Sequence, residues 1–318
     1  MRHRSFVLLA PALVIMMLPA RTLAQPKAWT VPRTSDGKPD LQGAWSNATL
    51  TPFERPAEFA GKEFFTQQEA AEFTRRTLQQ SDRDRRGATP EADVNGAYNE
   101  AWFERGTKLL QNLRTSIVVD PVDGRVPPLT PAARAAAAAR AAVQRRVPEG
   151  PEDFPLAVRC LVWPTSGPPM LPGPYNNNYQ IVQTRDSVAI EVEMIHDMRI
   201  IPTDGRPHLP SSIRRWMGDS VGHWEGDTLV VDTTNFTDQT HVRGSDRNLH
   251  VIERFKRTGP DSLLYRFTID DPTAFTRPWT GEIVMGRAPG LLYEYACHEA
   301  NYSLANMLSD ARKSPAAR

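Results

Sequence analysis

Trp224-Glu225-Gly226-Asp227-Thr228-Leu229-Val230-Val231-Asp232-Thr233-Thr234 holds the fold in miniature: an aromatic closes one strand, Gly-Asp turns the corner, and a β-branched run climbs back. The same grammar recurs from residue 216 to residue 267, in alternating apolar runs ended by Gly-Asp, Asp-Gly or Gly-Pro. No helical period lies between them. Such spacing implies an antiparallel sheet rather than βαβ units. Working outward, strands are expected at 179–184, 187–196, 198–202, 221–225, 227–233, 249–257, 262–269, 280–286 and 290–297. Turns at Arg185-Asp186, Gly226-Asp227 and Gly259-Pro260 pair sequential neighbours as a meander. A twisted sheet of about eight or more strands tends to close on itself, so the expected fold is a mainly β, antiparallel barrel.

Before residue 150 the texture differs. Residues 25–64 are Pro-punctuated and extended, with a possible strand at Gly43-Ala44-Trp45. Thr66 and Glu69 have capping-box spacing and should open a helix. A second helix is expected over 95–113, where Tyr98, Trp102, Leu109 and Leu113 keep an approximate helical stripe. The β-branched run 115–119 should turn back at Asp123-Gly124 through residues 125–129. Thr130-Pro131 then opens an Ala-rich surface helix running to residue 146. The expected organisation is a signal peptide (1–24), an extended and helical segment (25–150) and a barrel domain (151–318), with the helices outside the barrel or capping its mouth.

Arg2 and Arg4, the apolar run 6–18 and Thr22-Leu23-Ala24 make up a secretory signal pattern, too short to span a bilayer. A secreted or periplasmic protein with no stable membrane span follows. Removing Arg2, Arg4 and Arg21 takes 38 basic residues to 35, against 37 acidic ones, a net charge of −2. No basic stripe remains to bind nucleic acid. Cys160 and Cys297, 137 positions apart, are the only cysteines, and in an exported chain they are expected to pair. Closing such a loop adds about 5 kcal/mol in the chain-entropy view.

Two resemblances carry further expectations. Gly43-x-Trp45 and Gly222-x-Trp224 resemble the Gly-x-Trp of lipocalin-like (calycin) barrels, where the Trp plugs one barrel end. The segments Asp204-Gly205-Arg206-Pro207-His208, Trp224–Thr233 and Leu249-His250-Val251-Ile252-Glu253-Arg254-Phe255 resemble a large group of exported bacterial proteins without an assigned activity. Asp270-Asp271-Pro272, Arg277-Pro278-Trp279 and Tyr295-Ala296-Cys297 continue that likeness. It implies a common fold and export, and no substrate.

Gly218-Asp219-Ser220-Val221-Gly222 fits the G-x-S-x-G pattern, but no helix follows to build a nucleophile elbow, so a turn is expected. The sequence has no His-Glu-x-x-His and no Cys-x-x-Cys, and neither metal nor cofactor is assigned. Acid–base chemistry is the leading reading. On an unbroken strand His196 ends the apolar row Val188, Ile190, Val192, Met194, where partial burial would tune its pKa. Glu253 alternates with Leu249, Val251 and Phe255. Glu294 and His298 share a face of the last expected strand. His196 and Glu253 are therefore the first candidates for proton transfer, with His298 and Glu294 second. Tyr175, Asn177 and Tyr179 offer stacking and amide hydrogen bonds to a ligand, joined by Arg199, His208 and His250. The expected function is a cofactor-independent lyase, isomerase or hydrolase acting on a small organic molecule. The alternative is an exported, non-catalytic carrier of an apolar or glycosylated ligand.

Overall fold

Gly226 adopts a left-handed backbone (φ +59°) and turns strand Asp219–Glu225 back onto Thr228–Thr234, with Glu225 opposite Thr228. The two-residue Gly-Asp loop makes a tight hairpin, as its sequence implies. A computed structural model describes residues 29–85, 89–95 and 99–313; the expected signal segment 1–24 lies outside them. In chain order the strands are β1 (Gly43–Ser46), β2 (Val118–Asp120), β3 (Asn178–Gln183), β4 (Ser187–Val192), β5 (Met198–Pro202), β6 (Asp219–Glu225), β7 (Thr228–Thr234), β8 (His250–Gly259), β9 (Ser262–Asp270) and β10 (Trp279–Arg287). The helices are α1 (Gln67–Ser81), α2 (Pro90–Asn95), α3 (Pro131–Gln144) and α4 (Ser303–Lys313).

All pairings between these strands are antiparallel, in the order β5-β4-β3-β1-β10-β9-β8-β7-β6, and the sheet is nearly closed into a barrel. Two sequential meanders, β3–β5 and β6–β10, are joined by β1, which pairs Trp45 with Tyr179 on one side and Arg287 on the other. β2 pairs with the opposite end of β10. The sheet therefore draws on both sides of residue 150. Between β5 and β6 no hydrogen-bonded ladder forms among the described residues. Side chains fill that seam: a Cβ on Gly222 would lie 3.0 Å from Ile201 Cγ2 and 3.3 Å from Thr203 Cγ2. Glycine is what lets the two edges approach.

Alternation decides what faces inward. Val251, Glu253 and Phe255 on β8, Leu263, Tyr265, Phe267 and Ile269 on β9, and Ile283 and Met285 on β10 are all buried. Rings make a ladder across the interior, Phe255 to Tyr265 at 5.0 Å, Tyr265 to Phe267 at 5.6 Å and Phe267 to Trp279 at 5.8 Å. Full burial of each such side chain contributes about 1.5–3 kcal/mol. Gly281 sits opposite Phe267, and a Cβ there would fall 2.2 Å from the ring, so the aromatic lies over bare backbone. Trp45 is fully buried, its indole N–H donating to Leu41 O at 2.9 Å with the Arg287 guanidinium 4.1 Å over its ring.

The capping box at α1 forms: Thr66 Oγ1 accepts from Glu69 N at 3.2 Å and Glu69 Oε2 accepts from Thr66 N at 2.8 Å. Phe73 and Ala70 pack on Phe65 in a separate small core. Thr130 caps α3, of which only Ala133 is buried.

Four expectations are corrected. Among the described residues of 95–113, α2 ends at Asn95, a short 3-10 turn forms at Glu100–Trp102 and 103–113 are irregular; Tyr98 lies outside the described residues. Gly106 (φ +86°) packs its Cα against the Ala48 backbone, while Lys108 O and Leu110 N bond to Leu50 N and Thr51 Oγ1, spending the groups a helix would use. The 115–119 run pairs with β10 rather than with 125–129. Residues 290–297 are not a strand; they follow β10 as irregular chain tied down by the Cys160–Cys297 disulfide (Cα–Cα 5.9 Å). β4 ends at Val192, because Glu193 turns into the right-handed helical region and Ile195 and His196 take positive φ.

Candidate functional site

Inside the barrel β5 and β8 bring Arg199 and Glu253 together. Arg199 Nη2 lies 2.5 Å from Glu253 Oε2 and Nη1 lies 3.1 Å from Oε1, in the paired geometry that guanidinium and carboxylate favour. Tyr265 donates its hydroxyl to Glu253 Oε1 at 2.8 Å and accepts from Met170 N at 2.9 Å. Burial, and then the Glu253 charge, push the Tyr265 hydroxyl well above the usual phenol range. Tyr179 is also buried; its oxygen accepts from Asn47 Nδ2 at 3.1 Å, and burial raises its pKa. Both Glu253 oxygens are thus engaged, one of them twice.

Of this network, Arg199 also lines a cleft of about 530 Å3 beside the seam, whose walls include Asp197, Arg214, Arg215, Trp216 and Ser220. Asp197 ends the kink after β4. Its Oδ2 is buried without a hydrogen-bond partner. Burial pushes its carboxyl up to about 6, against a smaller opposing effect of His196. Arg199 Nε is likewise buried and unpartnered. Arg214 is fixed by bonds from Nη1 to Phe236 O (2.9 Å) and Arg247 O (2.7 Å), and has no ion pair among the described residues. Arg215 is exposed, with no side-chain ion pair among the described residues. Cationic side chains and a carboxyl group that can change protonation near neutrality therefore line the same cleft.

The other sequence-derived candidates fall elsewhere. His196 is exposed beside the cleft's Asp197, its Nδ1 3.2 Å from Tyr295 O; the two first-choice groups, His196 and Glu253, are not bonded to one another. Glu294 and His298 are exposed on the chain that passes His196. Asn177 is a loop staple: its Nδ2 donates to Glu104 O (2.8 Å) and Gly173 O (3.0 Å), and its Oδ1 accepts from Gly173 N (2.7 Å). Tyr175 packs at 6.1 Å from Trp163. His208 and His250 lie on the outer face, sharing Asp232 at 2.9 and 2.8 Å, and His208 Nδ1 also meets Asp219 at 3.0 Å. Ser220 lies at the start of β6 and is buried, its Oγ 2.9 Å from Thr233 Oγ1, and no elbow surrounds it. Among the described residues no group of three or more His, Cys, Asp or Glu is arranged to hold a metal ion, and no helix is long and apolar enough to cross a membrane.

Asp197, Arg214 and Arg215 were not legible as a site. Asp197 reads as a connection between strands, and the Arg-Arg pair gains meaning only once the barrel sets it across the seam. No family model matches this chain, and comparison with curated proteins returns no matching sequence.

Proposed function

We propose that this protein is an exported enzyme that performs acid–base chemistry on a small anionic organic molecule bound in the β5–β6 seam. Arg214 and Arg215 attract and orient the anionic group. Asp197 exchanges the proton, with His196 beside it adjusting its affinity. Arg199, clamped by Glu253, which Tyr265 holds in turn, forms part of the cleft wall. The carrying observation is the Asp197 carboxyl, desolvated and with an unpartnered oxygen at the wall of a ligand-sized cleft. A carboxyl that titrates near neutrality serves both as acid and as base, as elimination, hydration or isomerisation requires. Side chains alone supply such chemistry. The export reading rests on the N-terminal signal pattern and agrees with the disulfide.

The test is solvent-deuterium uptake at carbon, followed by proton NMR, for a panel of small 2-oxo and 3-hydroxy carboxylic acids in D2O. Wild-type protein should exchange at least one of them, and Asp197→Asn should lower that rate by roughly 10²–10⁴-fold. Full exchange by Asp197→Asn would sink the assignment.

A further inference from the structure

A second cleft, of about 560 Å3, lies between α3 and the loop 152–168, closed from the far side by residues 238–242. Its volume falls in the range of about 300–1,000 Å3 that suits drug-sized ligands. The walls are apolar, with Val143 from α3 and Phe154, Leu156, Val162 and Trp163 from the loop. That loop is held in place: Cys160 is bonded to Cys297, Trp163 rests on Tyr175, and Leu171 N donates to Thr165 O at 3.0 Å. Order before binding lowers the entropic cost of taking up a ligand.

Charge and polarity narrow the occupant. Glu152, Asp153 and Asp238 line the cleft, while its one guanidinium, on Arg140, is paired with Asp246 at 3.2 Å. An anion is therefore disfavoured, the reverse of the seam. His241 supplies the polar contact. Burial, then the nearby Arg140 charge, lowers its pKa, so the ring is neutral at pH 7. Its Nδ1 is buried without a partner. An orphaned lone pair is more readily tolerated than an orphaned N–H, which puts the single ring proton on Nε2, where it is free to donate.

We infer that this cleft is a binding site for an uncharged ring compound bearing a carbonyl or ether oxygen, which accepts a hydrogen bond from His241 Nε2. It is independent of the seam and of any reaction there. The fluorescent dye N-phenyl-1-naphthylamine, neutral and apolar, is the probe, with 2-acetylnaphthalene and 2-ethylnaphthalene as competitors that differ by one oxygen. The full-length protein should bind the dye saturably, and the acetyl compound should displace it at roughly five- to tenfold lower concentration than the ethyl compound. Val143→Arg, at a half-exposed position, should weaken dye binding at least about tenfold while circular dichroism stays unchanged. His241→Phe should keep the dye and erase the acetyl preference. Asp197→Asn should leave every value as in wild type. No saturable binding, or binding indifferent to Val143→Arg, would overturn the site. An acetyl preference that survives His241→Phe would overturn the role of the histidine and with it the ligand class.

Discussion

Arg199 and Glu253 stand 54 residues apart in the chain and bond in parallel inside the barrel, Nη2 to Oε2 at 2.5 Å and Nη1 to Oε1 at 3.1 Å. One comes from an edge strand of the seam and the other from the middle of the sheet, so the pair spans the interior and holds the unladdered edge in place. Their side chains are 3% and 0% exposed, which makes either charge costly without the other.

Replacing Glu253 by Gln should therefore cost about 3–5 kcal/mol in urea unfolding. The double variant Arg199→Met with Glu253→Leu removes both charges and should recover most of that loss. A double variant as unstable as Glu253→Gln would show that packing, not charge, holds the seam.

Asp197 titrates near 3.8 when unfolded and near 6 in the fold, where burial disfavours its charged form. The native protein thus binds the extra proton between those values. Stability should fall as pH rises from about 4 to about 6 and stay lower above that. Asp197→Asn should flatten this portion of a melting-temperature profile and raise the melting temperature at pH 7.5. An unchanged profile would remove Asp197 from the account.

His250 is shifted the other way. Its hydrogen bond to Asp232 raises its pKa above 6.5, against an opposing effect of burial. The stabilisation is complete below about 6.5 and is lost as pH climbs through the higher folded value. In Asp232→Asn the His250 ring protons should titrate at lower pH by NMR, and the loss of stability above neutrality should shrink. A His250 titration that does not move would show that Asp232 is not the cause.

Replacing Cys160 and Cys297 together by Ser should lower stability by about 2–5 kcal/mol in urea. The irregular chain 290–302 should then exchange its amide hydrogens faster, whereas β8 and β9 keep their protection relative to global unfolding. Uniform loss across the sheet would place the crosslink in the barrel wall instead.

Where neighbours in sequence are neighbours in space, the residues announce the structure. β6 to β9 follow from period-two alternation and from corners such as Gly226-Asp227, and the Thr66–Glu69 cap is purely local. What escaped reading depends on distant partners. Glu193 leaves the strand because Asn178 Nδ2 donates to it at 2.7 Å and Tyr293 N at 3.2 Å, and this kink carries His196 outward and Asp197 to the cleft. Nothing near residue 193 signals those contacts. Glu253 was legible as a carboxylate among apolar neighbours, but its guanidinium partner, Arg199, read as a ligand-binding group. The helix expected at 95–113 failed for the same reason: Leu50 N and the Thr51 hydroxyl take up Lys108 O and Leu110 N, and Trp102 of its stripe is left 66% exposed.

The place of β1 between β3 and β10 has a consequence for how the molecule is made. Once made, β1, the first of the described strands in chain order, finds one neighbour more than 130 residues later and the other well over 230 residues later. Until then its edges have no lasting partner, and loop closure over such spans is slow. Within the described sheet, the wall is thus joined by its first and last strands in chain order, so it cannot be whole until β10 has been made.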